Sequence, residues 1–144
     1  NQVFDVSKRC NTCDKDSEQM NSFQFWKLPE ILIFHMVSSR FSPVGLVVDQ
    51  NEQLKVEMDY PKQLDMTPYV ESSQRTGSMM YKLFAVTVRI GYNIETGHYY
   101  TFALHHENQR WWCFDDEIVS SVNESEVHTQ NAYLLFYQRI KESK

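Results

Sequence analysis

Gly97-His98-Tyr99-Tyr100-Thr101-Phe102-Ala103-Leu104, then the polar His105-His106-Glu107-Asn108-Gln109, then Arg110-Trp111-Trp112-Cys113-Phe114-Asp115-Asp116-Glu117-Ile118-Val119, is the stretch on which the reading of this chain turns. Two aromatic and aliphatic runs flanking a short polar connection are expected to form a β-hairpin. With the turn centred near residues 106 to 108, the position across from His98 falls near 115 to 117, because antiparallel residues pair symmetrically about a turn. Side chains alternate between faces, so an odd register puts Asp115 and Glu117 on the side of His98, and an even one selects Asp116. Either register brings a carboxylate to the imidazole. The expectation is that the carboxylate accepts from Nδ1–H and fixes the tautomer, leaving Nε2 as a general base. That is two thirds of a nucleophilic triad, and the nucleophile is the missing part. Cys113 shares a strand with Asp115 two residues away, so it cannot approach His98 as the third member.

The neighbouring sequence supplies partners for this hairpin. Tyr81 to Ile90 reads as a buried strand, and Gly91 to Gly97 as a loop into the His98 strand. Ala132-Tyr133-Leu134-Leu135-Phe136-Tyr137-Gln138-Arg139 reads as an apolar strand that closes the sheet. Residues 23 to 28 alternate until Pro29, and Ile31-Leu32-Ile33-Phe34-His35-Met36-Val37 has the length and β-branching of a buried strand in which His35 is a core histidine. Leu54, Val56, Met58 and Tyr60 alternate with polar residues up to Pro61, as in a half-buried strand. Residues 64 to 70 suggest a turn or single helical turn with an Asp or Thr cap, and 124 to 130 another helical turn. Residues 14 to 22, 42 to 52 and 71 to 79 read as loops, the last of them mobile. The sum is about six strands with little helix, hence an antiparallel sheet.

Composition narrows the class. With 144 residues, 42% of them hydrophobic and 14% aromatic, the chain can build one core and is too apolar for a disordered tail. A formal net charge of −5 argues against nucleic acid or an anionic membrane as the main partner. No run approaches the roughly 18 apolar residues that cross a bilayer. The opening Asn1-Gln2-Val3-Phe4-Asp5-Val6 lacks the basic start and apolar core of a signal peptide and reads as the middle of a longer polypeptide. Three cysteines, Cys10, Cys13 and Cys113, do not suit a disulfide framework, so an intracellular compartment, cytoplasmic or nuclear, is expected. Cys10-Asn11-Thr12-Cys13 has the C-x-x-C spacing of one zinc knuckle. A structural zinc needs four ligands, so taken alone the pair reads as a vestigial or accidental turn, and as half a zinc site if a second pair lies upstream.

Taken in order, these pieces resemble the C-terminal half of the catalytic domain of the ubiquitin-specific protease family, the papain-like deubiquitinating enzymes. Cys10-Asn-Thr-Cys13 is similar to the second zinc knuckle of that family's fingers region. Trp26-Lys-Leu-Pro29 with Ile31 to His35 and Arg40-Phe41 is similar to its segment ending in Arg-Phe. Tyr60-Pro61, Leu64-Asp65-Met66 and Tyr69 follow, then Tyr81 to Val86, Gly97-His98-Tyr99-Tyr100, Trp111 with Phe114-Asp115-Asp116, and Ala132 to Tyr137.

The resemblance implies an α+β fold, mostly β in this segment: an antiparallel palm and fingers sheet of a papain-like cysteine protease, lacking the helical thumb half. It implies a fingers knuckle at 8 to 16 and a palm sheet with the histidine box at 23 to 140. Its implied activity is thiol-dependent hydrolysis of the ubiquitin C-terminal bond, with ubiquitin or its conjugates and an upstream half-domain as partners. His98 becomes the general base and Asp115 its orienter, and Asp116 assists at the oxyanion or substitutes as orienter. Gly97 and Tyr99 line the channel for the ubiquitin tail, Gly97 by letting a substrate backbone approach, while Phe41 and Trp111 pack around it or, the favoured reading, are ordinary core. Cys10 and Cys13 become half of a structural zinc site. Departures are the absent nucleophile box, Arg89 where the family often carries His, and an extra residue between His35 and Phe41. The competing reading is a catalytically inactive ubiquitin-binding or scaffold module.

Overall fold

The computed structural model describes residues 4–9, 11–14, 16–21, 23–36, 59–91, 97–129 and 131–141. Strands β1 (Phe4–Arg9) and β2 (Asp16–Asn21) pair antiparallel as a hairpin of their own. Residues 16 to 21 were expected to be loop. They are a strand because β1 offers them a ladder, an influence that a polar sequence does not announce.

The main sheet takes in β3 (Ile31–His35), β4 (Gln63–Asp65), β5 (Met80–Ile90), β6 (His98–Leu104), β7 (Trp111–Asp115), β8 (Ile118–Val122) and β9 (Ala132–Arg139). Its order is β3-β9-β5-β6-β7-β8, with β4 also on β5, and every pairing is antiparallel. A four-residue helix, α1 (Glu124–Val127), links β8 to β9 where a helical turn was expected. Asn123 and Glu126 close it with a capping box, which satisfies its first free N–H groups. Among the described residues no helix is long and apolar enough to cross a membrane.

One face of this sheet carries the core. Tyr81, Val86 and Val88 of β5, Leu135 and Tyr137 of β9 and Leu32 of β3 bury against Leu28, Tyr60, Met66, Val70 and Val127 from the connections. Three tyrosines fasten those connections. The Tyr60 hydroxyl donates to the Val127 carbonyl at 2.8 Å and accepts from the Thr129 N–H at 2.9 Å. The Tyr137 hydroxyl donates to the Pro61 carbonyl at 2.7 Å, and the Tyr81 hydroxyl to that of Pro29. A buried phenol must keep its proton in such a place, and burial pushes the Tyr137 phenol up to about 12.

Several expectations change. The run at 111 to 119 is not one strand: Asp116, in the left-handed region at φ 50°, begins a two-residue turn, and β8 folds back on β7 with Asp115 facing Ile118. β9 does not close the sheet but lies inside it, between β3 and β5. β3 is the edge instead, and it alternates: Leu32 is 8% exposed and Ile33 55%. Its aliphatic run marks a strand without implying burial on both faces. Residues 23 to 28 form only a single bridge, Phe25 to Val70.

Residues 71 to 79 are held rather than loose. Met79 is buried, a 3-10 turn occupies Ser72–Gln74, and Arg139 Nε donates to the Ser78 carbonyl at 2.7 Å. The turn expected at 64 to 70 is a 3-10 turn at Thr67–Tyr69, with Asp65 Oδ1 accepting from the Thr67 N–H at 2.9 Å. The excursion at 42 to 52, the strand at 54 to 58 and most of the loop before Gly97 lie outside the described residues. Nine strands are described in all where about six were expected.

Candidate active site

His98 opens β6, and Asp115 ends β7. The two strands pair in the odd register, Thr101 opposite Phe114 and Leu104 opposite Trp111. Carried on toward residue 98, that register puts Asp115 diagonally across from His98 on the same face. The side chains meet: His98 Nε2 lies 2.5 Å from Asp115 Oδ1. Both are about half exposed, 49% and 43%, so the pair is open to solvent and to a reacting partner.

The contacting nitrogen is not the expected one. Nε2, not Nδ1, faces the carboxylate, because the carboxylate lies a strand away and the distal end of the ring reaches it. In the neutral imidazole Nε2–H donates to Asp115, and Nδ1 is the nitrogen left to take a proton.

Electrostatics follow from this contact. The hydrogen bond that His98 donates to Asp115, and then the charge of that carboxylate, raise the imidazolium above the usual histidine range, desolvation opposes this, and Asp116 adds a smaller push upward. Asp116 follows Asp115 in the chain, at the start of the turn into β8, and lies close to the pair. One ligand atom each from His98, Asp115 and Asp116 lie within 4.8 Å of one another. The three resemble a metal cluster in geometry alone; a short bond joins His98 to Asp115, and Asp116 is next to Asp115 in the chain.

Neither described thiol is hydrogen-bonded to His98. Cys13 is exposed in the β1–β2 turn. Cys113 lies behind the pair on β7, where burial first and then the charge of Asp115 push its thiol up, opposite to what an attacking thiolate needs.

The other expected positions scatter. Gly97 immediately precedes His98. Tyr99 turns to the opposite face, where its hydroxyl accepts from Arg89 Nε at 3.1 Å and its ring meets Tyr133 edge-on at 5.5 Å. Trp111 is not brought to His98. It is 7% exposed in the core at the far end of β7, roughly 20 Å along the strand from the His98 end. Phe41 and Cys10 lie outside the described residues. A cavity of about 540 Å³, lined by Lys82, Leu104, Arg110 and Trp111 among others, is also at that far end. The residue that sequence reading undervalued is Arg89, noted only as a departure. Its signal was available in the pairing of β5 with β6, which sets Arg89 opposite Tyr99 and Ile90 opposite His98.

A histidine bonded to an aspartate at the open end of an antiparallel sheet is an arrangement that nucleophilic hydrolases use. Residues 3–137 match the family described as Ubiquitin carboxyl-terminal hydrolase, and the chain belongs to that family. It is 33% identical over 133 residues to Ubiquitin carboxyl-terminal hydrolase 10 of Arabidopsis thaliana, covering 92% of this chain and 14% of that protein. It is also 33% identical over 131 residues to Ubiquitin carboxyl-terminal hydrolase 15 of Rattus norvegicus, covering 90% of this chain and 13% of that protein. The chain thus spans about one seventh of the length of these relatives.

Solved structures agree on the fold. A yeast SAGA DUB module matches with a TM-score of 0.71 and 27% identity over 99% of this chain and 31% of its counterpart. A SAGA Ubp8/Sgf11/Sus1/Sgf73 DUB module bound to ubiquitin aldehyde matches with a TM-score of 0.69 and 25% identity, again over 99% and 31%. The chain is a segment of the ubiquitin-specific protease catalytic domain, mostly antiparallel sheet within a papain-like fold.

Proposed function

We propose that this chain supplies the base-bearing half of a deubiquitinating thiol hydrolase, with the cysteine nucleophile on polypeptide that precedes residue 1. The observation that carries the reading is the 2.5 Å pair of His98 and Asp115 in a sheet that belongs to the family. Nδ1 of His98 takes the proton of the incoming thiol. The thiolate attacks the carbonyl of the terminal glycine of ubiquitin, and the imidazolium returns the proton to the leaving amine as the C–N bond breaks. Water, deprotonated by the same nitrogen, then cleaves the thioester and frees the thiol. Asp115 holds the ring and stabilises its cationic form through both steps.

The approach to the pair suits this division. Ile90, opposite His98, and Ile118, opposite Asp115, are exposed on the face of the pair and offer apolar surface to the half that carries the nucleophile. The relatives' names and the ubiquitin aldehyde held by one structural neighbour support ubiquitin as the substrate. We further assign Cys10 and Cys13 to half of a structural zinc site that an upstream cysteine pair completes; the exposed turn at Cys13 leaves its thiol accessible to such ligands. Three cysteines, too few for a disulfide framework, suit an intracellular enzyme.

The deciding experiment uses the complete polypeptide and a ubiquitin whose C-terminus carries a thiol-reactive electrophile. A covalent adduct that is lost in His98→Ala is expected. Tight but wholly noncovalent binding would replace this reading with that of an inactive ubiquitin-binding module.

A further inference from the structure

Glycine at 97 has a reason inside the chain. Its φ is not in the left-handed region, so any residue's backbone could adopt this conformation, and the constraint is space. A Cβ built on Gly97 would stand 3.0 to 3.1 Å from three atoms of the Arg89 guanidinium. The same guanidinium donates through Nε to the Tyr99 hydroxyl at 3.1 Å and lies 5.8 Å from the centre of that ring. Arg89 itself is fixed from both sides. It pairs with Tyr99 in the β5–β6 ladder, and its N–H donates to the Asn131 carbonyl at 3.1 Å. Tyr99 packs on Tyr133, and Tyr133 on His35 at 4.6 Å, so a row of rings braces the clamp across the face.

We propose that Arg89 is a positioning residue for His98: its guanidinium fills the place of a side chain at 97 and holds Tyr99, gripping the backbone on both sides of His98 from the opposite face of the sheet. The imidazole meets Asp115 and Asp116 on one side and the Tyr100 ring on its own strand, 6.5 Å away. None of these fixes the backbone at 97 and 99. The β5–β6 ladder holds His98 and Tyr99, the Arg89 guanidinium adds its hold on the Tyr99 side chain and its place beside Gly97, and a base displaced by an ångström loses much of its rate. A side chain at 97 would then have to displace the Arg89 guanidinium.

This inference rests on the hydrolase reading, and a double-mutant cycle in the complete polypeptide separates the two. Arg89→Ala is expected to lower kcat about tenfold with KM within about twofold, as a loss of positioning does. Gly97→Ala, which pushes the guanidinium aside, is expected to do the same. The double variant should be no worse than either single one, since residues that act as a unit are not additive. Losses that multiply to about a hundredfold, or a KM that rises in Gly97→Ala whether or not Arg89 is present, would overturn the proposal in favour of substrate passage. Arg89→Met, which keeps the packing stem beneath the rings and removes only the guanidinium, replaces Arg89→Ala if that variant does not fold. The NMR titration of the His98 imidazole provides a second readout. It should shift down in both single variants and equally in the double, and an unchanged titration in all three refutes the clamp. That readout decides the matter even if the protein hydrolyses nothing.

Discussion

The two ends of the β6–β7 hairpin share one register and have opposite characters. At the turn end Leu104 faces Trp111, which is 7% exposed and part of the core. At the open end His98 and Asp115 are about half exposed and joined by one short hydrogen bond. The buried end has no chemistry, and the chemical end has little packing. The first gives the second its geometry, since a slip of one residue would turn Asp115 to the other face. Function here depends on a register that apolar burial enforces several residues away.

Three changes test that division, in order of expected size. Trp111→Ala should cost about 3 to 5 kcal/mol of stability, read from urea unfolding, since it empties a large core site. If the buried end sets the register, activity should fall in step with the folded fraction; an active, fully stable variant would break the comparison. Asp115→Asn should leave the unfolding midpoint close to wild type while cutting kcat by about 10²-fold, within the range for a general base and its support. The His98 titration seen by NMR should move down toward its ordinary value, because the largest cause of its elevation is gone. Asp116→Asn should move the same titration down by less, as its charge contributes only a minor part. A larger shift there than in Asp115→Asn would exchange the roles of the two carboxylates.

The smallest expected effect concerns pH and stability. His98 has its folded pKa raised, so the pair's contribution is complete below the unfolded histidine value of about 6.5 and is lost as pH rises through the folded one. The unfolding midpoint should therefore fall slightly from pH 6 to alkaline pH, by little because the pair is exposed and screened. The fall should be absent in Asp115→Asn. An equal slope in both proteins would place the pH dependence elsewhere.

Much of this was open to reading along the chain. The alternation at 98 to 104 and the short polar connection required a hairpin, and symmetry about its turn confined the partner of His98 to two adjacent aspartates and Glu117. The turn after Asp115 was hidden, because Asp116-Glu117 between apolar residues looks like the end of one strand; only the left-handed φ of Asp116 discloses the reversal into β8. β9 was recognised as a strand but misplaced, since apolarity marks burial and does not state which strands lie alongside. Trp111 carried the same aromatic signal as the residues near the site, yet its position at the buried end of the ladder removes it from His98.

Local rules of alternation and pairing operate between residues close in sequence, so the hairpin, its pairing of imidazole with carboxylate and the family were legible without coordinates. The nitrogen that meets Asp115, the choice of Asp115 over Asp116 and the guanidinium beneath Gly97 depend on distances across strands. Such distances are decided only when apolar burial has fixed the order, register and faces of the whole sheet.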